Sequence, residues 1–419
     1  MPFNTSLRSW VHYDADSQFP IQNIPFGIAS HHNGQRFAAS RIGEFVVNLD
    51  VLMTLGAFSR LHLPVDIFRH EVLNPFIALG KGITSAVREQ LTSILDADTT
   101  EATIREQADQ WLLPINDIHL HLPVAIGDYT DFYSSIEHAT NVGIMFRDAQ
   151  NPLLPNWKHL PVGYHGRASS IEVSGHAFHR PKGQTKPNDG PPILEATRQL
   201  DFELEMGFIV GKDTAIGDSV STAEAENYIF GLVLFNDWSA RDIQRWEYVP
   251  LGPFLGKNFA STASPWIVTL EALEPFRFNG PVQDPEVLPY LAFSGPRNYD
   301  IQLSVSIQPE DSSPSVVCQS NFRYMYWNMC QQLAHHTVNG CNIRVGDLYA
   351  SGTISGPAEN SFGSMMELSW KGTRAITLND GSTRTFIEDG DRVILEGFGE
   401  QDGIRIGFGP CVATVLPVK

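Results

Sequence analysis

Asp201-Phe202-Glu203-Leu204-Glu205-Met206 alternates strictly between acidic and apolar side chains. A period of two is the strand period, because successive side chains on a strand point to opposite faces. Phe202, Leu204 and Met206 then share one face, and Asp201, Glu203 and Glu205 the other. Like charges side by side repel, and burial makes the repulsion worse. A bound cation is the simplest compensation. The pattern alone fits a solvated strand face at least as well.

Working outward, residues 229–235 form an almost unbroken apolar run, as a strand buried on both faces requires. Asp380-Gly381 lies between 375–378 and 383–387, which is a hairpin signature. Val393-Ile394-Leu395 and Ile404-Arg405-Ile406 read as further strands. Two helices are predicted among them. One begins at Ser221, where Glu224 three residues on completes a capping-box pattern. The other spans about 322–335, with Tyr326, Met329, Cys330 and Leu333 on its apolar side. The remainder from 119 onward is mostly strands and turns.

Residues 1–118 read as a smaller supporting unit. Segments 37–40 and 44–49 are short strands around a Gly43 turn. Ile83, Val87, Leu91 and Leu95 recur every fourth residue and form one stripe of a helix. A second short helix is predicted over 101–107. Pro114 and Pro123 bracket the expected junction between 1–118 and 119–419.

The chain has 419 residues, 42% of them hydrophobic and 18% charged, so it can bury a core in two or three domains. Its net charge of −18 opposes binding to nucleic-acid backbones or anionic membranes. None of Cys318, Cys330, Cys341 and Cys411 sits in a CxxC pair, and four in so long a chain suit free thiols of a reducing compartment. Met1-Pro2-Phe3-Asn4-Thr5 opens no apolar signal core, and no segment has the ~18 apolar residues of a membrane span. A cytoplasmic location is expected. No GxxxxGK[ST], HExxH or GxSxG occurs, and no GxGxxG opens a helix; Gly407-Phe408-Gly409 is only a partial match.

Three further stretches concentrate functional side chains. Asp237 ends the apolar run, where a strand hands over to a loop; it suits a ligand position or a helix cap equally. Residues 127–141 place Asp131, Tyr133 and His138 in a short stretch expected to be irregular. A His beside acids can serve as a general base, though a lone His is more often a satisfied structural residue. Pro161-Val162-Gly163-Tyr164-His165-Gly166-Arg167 reads as a binding loop or a packed turn.

Taken together, six segments resemble the fumarylacetoacetate hydrolase family in order and spacing. They are Asp131-Phe132-Tyr133-Ser134-Ser135, Leu160 through Arg167 with Asn156-Trp157 just before it, Glu203-Leu204-Glu205, Asn236-Asp237-Trp238-Ser239-Ala240-Arg241-Asp242, Gly252-Pro253-Phe254-Leu255-Gly256-Lys257 and Ser351-Gly352-Thr353-Ile354-Ser355-Gly356. The similarity runs from about Phe19 to the C-terminus and is densest from 119 onward.

The resemblance implies a mainly β chain with some α: a small N-terminal SH3-like β-barrel plus a large C-terminal mixed β-roll, paired as a homodimer. It implies hydrolysis of the carbon–carbon bond of 4-fumarylacetoacetate, a β-diketo dicarboxylate, to fumarate and acetoacetate, the last step of tyrosine and phenylalanine breakdown. It implies Mg²⁺ or Ca²⁺ held by Asp131, Glu203, Glu205 and Asp237, with the segment from Lys257 to Ser261 helping to hold the metal, partly through backbone atoms; four carboxylates with no Cys or His suit such hard cations. By the same resemblance His138 is the base and Glu367 its orienting carboxylate, while Arg241, Gln244 and Lys257 stabilise developing negative charge. Tyr133, Arg147, Tyr164, Gln244, Tyr248 and Thr353 are implied to bind substrate. Ile136 departs from the Arg of related enzymes, and Ser261 from the Thr of animal members. A superfamily relative acting on another acylpyruvate or a dienoate, and a silent metal-binding scaffold, are the competing expectations.

Overall fold

The computed structural model describes residues 4–31 and 34–419. Met1–Phe3, part of the N-terminal stretch read above, lie outside the described residues. The chain is mainly β, with 29% strand against 22% helix.

The central sheet grows from the apolar run. Strand Ile229–Asn236 pairs antiparallel with Leu204–Val210, with Leu204 opposite Asn236 and Glu205 opposite Phe235. The sheet order is Gly163–His165, Tyr129–Phe132, Leu348–Ala350, Leu204–Val210, Ile229–Asn236, Ser261–Ala263 and Ile171–Val173. Two of its pairings are parallel, so the sheet is mixed. Both faces are covered, which is why strand Ile229–Asn236 is apolar as far as Phe235. Met206, Phe208, Leu232 and Leu234 enter one core. Ile209, Val233 and Phe235, one residue out of phase, enter the other.

The first core lies against a six-stranded sheet that includes Gln302–Gln308, Ser315–Asn321, Arg392–Gln401 and Cys411–Leu416. The second is shared with the N-terminal part. There, Leu112–Pro114, Phe45–Asn48, Arg36–Ile42, Phe26–Ser30 and His119–His121 form a five-stranded antiparallel sheet of the SH3-like kind. Helix Lys81–Leu95 turns Val87, Leu91, Ile94 and Leu95 into this core, while Ile83, on the expected stripe, packs at its margin. Phe26 and Ile267 exchange backbone hydrogen bonds, at 3.0 and 2.8 Å, and so join the N-terminal sheet to the larger part.

The expected strand at 201–206 is broken. Leu200–Asp201 pairs with Ser239–Ala240, and the ladder resumes only at Leu204. The helix expected from Ser221 does not form. Ser221 Oγ donates to the Glu224 carboxylate at 2.7 Å and accepts no backbone N–H as a cap would, and only a single 3₁₀ turn, Ala225–Asn227, precedes the next strand. The helix expected over 322–335 starts later. Asn321 caps a 3₁₀ turn, Phe322–Tyr324, and Asn328 with Gln331 opens a second start, so the helix is Met329–Thr337 and Tyr326 precedes it. Residues 127–141 are not irregular: Tyr129–Phe132 is a strand, and Ser135 caps helix Ile136–Phe146. The Asp380-Gly381 hairpin forms with two residues per strand, Gly381 taking φ +83°. All four cysteines are free, Cys341 being exposed and the others buried.

Leu234 is fully buried between the central and six-stranded sheets. Leu234→Ala should therefore lower unfolding free energy by about 2–5 kcal/mol in chemical denaturation. A loss under ~1 kcal/mol would mean the two sheets do not close on it.

Candidate functional site

The break after Asp201 decides how the acidic side chains are used. Asp201 is fully buried; its oxygens accept the backbone N–H groups of Met365 (2.7 Å) and Met366 (3.0 Å) and Arg241 Nε at 2.8 Å. It therefore anchors Arg241 and does not join its neighbours. Glu203 and Glu205 instead meet Asp131 and Asp237, and one oxygen from each of the four lies within 4.8 Å of the others. Asp131 comes from the Tyr129–Phe132 strand; Asp237 follows the end of Ile229–Asn236. All four are buried, so the solvated-face reading fails. Asp237 caps no helix, since the next one, Arg241–Glu247, starts four residues later behind Ala240.

Lys257 Nζ bridges Asp237 (2.7 Å) and Glu203, and Arg241 reaches Glu203 at 2.7 Å. Ser261 Oγ donates to Asp237 Oδ1 at 3.0 Å, and Tyr164 Oη to Asp237 Oδ2 at 2.8 Å. The Gly352 N–H donates to Glu205 Oε2 at 3.1 Å. Five buried carboxylates, counting Asp201, thus face two buried cations, leaving three negative charges over. Asp131 Oδ1 and Glu205 Oε1 are buried with no hydrogen-bond partner. Unpartnered buried carboxylate oxygens are costly, and a divalent cation among them removes that cost. The donor set fits such an ion.

The electrostatics divide the quartet. Burial, then the neighbouring carboxylates, raises Asp131 and Glu205 well above the usual range. Burial would also raise Glu203, but Lys257, Arg241 and His138 outweigh it and hold the carboxyl low. The same carboxylates overcome burial at Lys257 and Arg241 and push both upward. Arg241 NH2 remains buried and unpartnered.

Beside the quartet lies the imidazole. His138 is the third residue of helix Ile136–Phe146; Ser135 fixes that turn by accepting the His138 N–H at 3.2 Å. His138 Nδ1 meets Glu367 Oε2 at 2.6 Å. Glu367 also accepts from Asn141, Ser355 and Ser364 at 2.8–3.0 Å. Burial would raise its carboxyl, yet His138 and these bonds hold it below the usual range.

Tyr133 stands edge-on to His138 with ring centroids 5.3 Å apart; burial pushes its hydroxyl's pKa up, and the nearby Arg147 offsets part of that rise. The exposed Arg147 also donates to the Pro152 carbonyl. Gln244 approaches Arg241 at 3.5 Å. Thr353 is buried next to Gly352. Tyr248 is the expected residue left outside: it is 53% exposed beyond helix Arg241–Glu247, and its hydroxyl has no hydrogen bond among the described residues. The segment 161–167 is neither loop nor turn at its centre, since Gly163–His165 is an edge strand that presents Tyr164 opposite Asp131. Ile136 packs beside Ala139, Trp157 and Tyr326, so the departure there serves an apolar cluster. Asn141, Ser355 and Ser364 were missed. Ser364-Met365-Met366-Glu367 carries a visible capping-box spacing, and Ser364 does cap that turn; Asn141, one helical turn beyond His138, was legible as its same-face neighbour.

Asp131 and Glu205 hold protons more tightly folded than unfolded. Their shift stabilises the cation-free protein at low pH, and this is lost as pH rises from the unfolded carboxylate range near ~4 through the raised folded values. Melting in chelator should therefore drop as pH increases through that window, while saturating divalent cation should flatten the slope. Equal slopes with and without cation would separate these two carboxylates from cation binding.

A family model described as fumarylacetoacetate hydrolase C-terminal matches residues 129–416, and one described as fumarylacetoacetase N-terminal matches residues 22–123. The fumarylacetoacetase of Dictyostelium discoideum is 52% identical over 421 residues, covering 98% of this chain and 98% of that protein. That of Homo sapiens is 51% identical over 415 residues, covering 98% and 99%. Among solved structures, a fumarylacetoacetate hydrolase from Exiguobacterium antarcticum aligns with 94% of this chain and 99% of its own at a TM-score of 0.53; at 15% identity it bears on fold alone. With both models matched in order and half the residues shared along nearly the full length, the chain belongs to the fumarylacetoacetase family.

Proposed function

We propose that this chain hydrolyses the carbon–carbon bond of 4-fumarylacetoacetate, releasing fumarate and acetoacetate, as the last step of tyrosine and phenylalanine breakdown. The observation that carries the reading is the buried His138–Glu367 pair within electrostatic reach of Glu203 in the carboxylate quartet. Relatives named fumarylacetoacetase across nearly the whole length support the choice of substrate.

His138 takes a proton from water through Nε2, because Nδ1 is committed to Glu367. Glu367 fixes that tautomer and stabilises the imidazolium. The hydroxide adds to a ketone carbon, and the imidazolium can return its proton to the departing carbon. Arg241 has an unpartnered buried nitrogen to offer the developing oxyanion. Lys257 has three N–H donors and spends two on Asp237 and Glu203, so one is free. Gln244 sits beside Arg241 as a neutral donor. Tyr133, Arg147, Tyr164 and Thr353 bind the substrate in this reading, Arg147 offering its planar fork to a carboxylate, and Tyr248, exposed beyond helix Arg241–Glu247, would reach it from outside the pocket. Mg²⁺ or Ca²⁺ held by Asp131, Glu203, Glu205 and Asp237, with Lys257 and Ser261 ordering those carboxylates, supplies a Lewis acid for the enolate charge.

The same reading makes the protein a cytoplasmic homodimer, with 1–118 as the supporting domain and 119–419 as the catalytic one. No helix of the described residues is long and apolar enough to cross a membrane.

Loss of fumarylacetoacetate absorbance, with and without EDTA, tests the reading. Metal-dependent decay supports it; inactivity on this substrate beside turnover of a simpler acylpyruvate overturns it. His138→Ala should lower kcat by about 10²–10⁴-fold with the fold intact by circular dichroism. Near-normal kcat would remove His138 from the chemistry. Asp131→Ala should weaken cation binding in calorimetry, and unchanged affinity would strike it from the ligand set.

A further inference from the structure

Between Gln244 and Lys257 the chain leaves the protein body. Tyr248, Val249, Leu251 and Phe254 are 53%, 67%, 97% and 67% exposed. An exposed connection of this kind orders its ends poorly unless something fixes them. One side chain does so. Glu247, the last residue of helix Arg241–Glu247, accepts the backbone N–H groups of Phe254 and Gly256, each on Oε1 at 2.8 Å.

Glu247 thereby ties the helix that carries Arg241 and Gln244 to the residue immediately before Lys257. The junction is close-packed. A Cβ on Gly256 would stand 2.8–2.9 Å from Gln244 atoms, so only glycine allows this approach. The Gly256 carbonyl accepts the Ala240 N–H at 2.8 Å, and the Lys257 and Asn258 N–H groups both return to the Phe254 carbonyl. Phe254 and Gly256 thus set where the Lys257 backbone starts, and the Lys257 side chain must span from there to Glu203 and Asp237.

We infer that Glu247 is a positioning residue for the reaction: its carboxylate closes the exposed 248–256 segment and sets the approach of Lys257 and Gln244 to the site. Side-chain acceptors that pair backbone N–H groups fix turns and loop ends. Two such N–H groups meeting on one oxygen hold the segment at the end nearer Lys257. Angstrom-scale misplacement of a charge-stabilising group is enough to cost about 10²-fold in rate. The inference rests on the hydrolase reading above, through the role given there to Lys257.

The test compares wild type, Glu247→Ala, Glu247→Asp and Glu247→Gln in steady-state hydrolysis of fumarylacetoacetate, with melting temperature and calorimetric Mg²⁺ affinity read in parallel. Wild-type inactivity sinks the hydrolase reading itself and is seen before any variant is compared. With active wild type, Glu247→Ala is expected to lower kcat about 10–100-fold, with a smaller rise in KM and Mg²⁺ affinity within about threefold. Glu247→Gln keeps a carbonyl oxygen at the same reach and should recover kcat to within several-fold. Glu247→Asp is one methylene too short to serve both N–H groups and should behave like Glu247→Ala, which covers the case that the alanine variant does not fold. Wild-type kcat in Glu247→Asp or Glu247→Ala overturns the proposal. So does a Glu247→Gln variant as slow as Glu247→Ala, because the charge and not the closed loop would then be what matters.

Discussion

Four buried carboxylates share one pocket, and the rest of the structure is arranged around that repulsion. Isolated buried carboxylates would keep their protons rather than pay the desolvation cost, and Asp131 and Glu205 are pushed toward doing so. Lys257 and Arg241 relieve only part of the excess, because Arg241 is shared with Asp201. What remains is a site with the charge and the oxygen donors for a divalent cation. Replacing one acid by an apolar residue would ease the fold and remove that capacity. The site is therefore a local destabilisation retained within a thoroughly packed body.

A sheet buried on both faces makes this possible. Its apolar strands lock Glu205 and Asp131 into register by pairing alone, with Glu205 opposite Phe235 and Asp131 opposite both Tyr164 and Ala350. Glu203 and Asp237 flank adjacent ends of the paired strands Leu204–Val210 and Ile229–Asn236, so both reach the same rim. No loop has to hold a ligand by itself. The N-terminal sheet packs on the same core as this platform, and helix Lys81–Leu95 adds its apolar stripe of Val87, Leu91 and Leu95 to it.

How much of this was legible depended on whether the signal was local. The apolar run at 229–235 and the helix stripe from Ile83 to Leu95 were readable, because burial of one or both faces writes a period into the chain. The period-two stretch at 201–206 was read as one strand, yet it belongs to two ladders; the pairing of Leu200–Asp201 with Ser239–Ala240 is non-local and leaves no mark at Phe202. That is why Asp201 was grouped with the acids and not with Arg241. The caps misled in the same way. Ser221 and Glu224 carry the box spacing, but the Ser221 hydroxyl bonds the Glu224 carboxylate, and only the 3₁₀ turn Ala225–Asn227 forms before the strand at Ile229. In the 322–335 segment two Asn caps compete, and the second wins because Tyr326 and Trp327 are drawn to the Ser134 carbonyl. Glu203, Glu205, Asp237, Asp131 and His138 each stand out locally, but that they meet one another and Glu367 was legible only by resemblance, since residues 131, 203, 237 and 367 lie far apart in the chain and no spacing announces it.

The imidazole interacts with two carboxylates that are both held ionised. Glu203 is held ionised by Lys257, Arg241 and His138 together, so a proton gained by His138 improves an existing balance rather than upsetting it. On its other side Glu367 is already saturated by Asn141, Ser355 and Ser364. It can neither rotate away nor take the proton readily, because four donors favour its charged form. A base flanked by one carboxylate tied to the cation cluster and another tied to the protein frame can carry charge for the length of a reaction without moving. Removing either flank would leave the charge but not its fixed position, and for a group that must return a proton to carbon, position decides the rate.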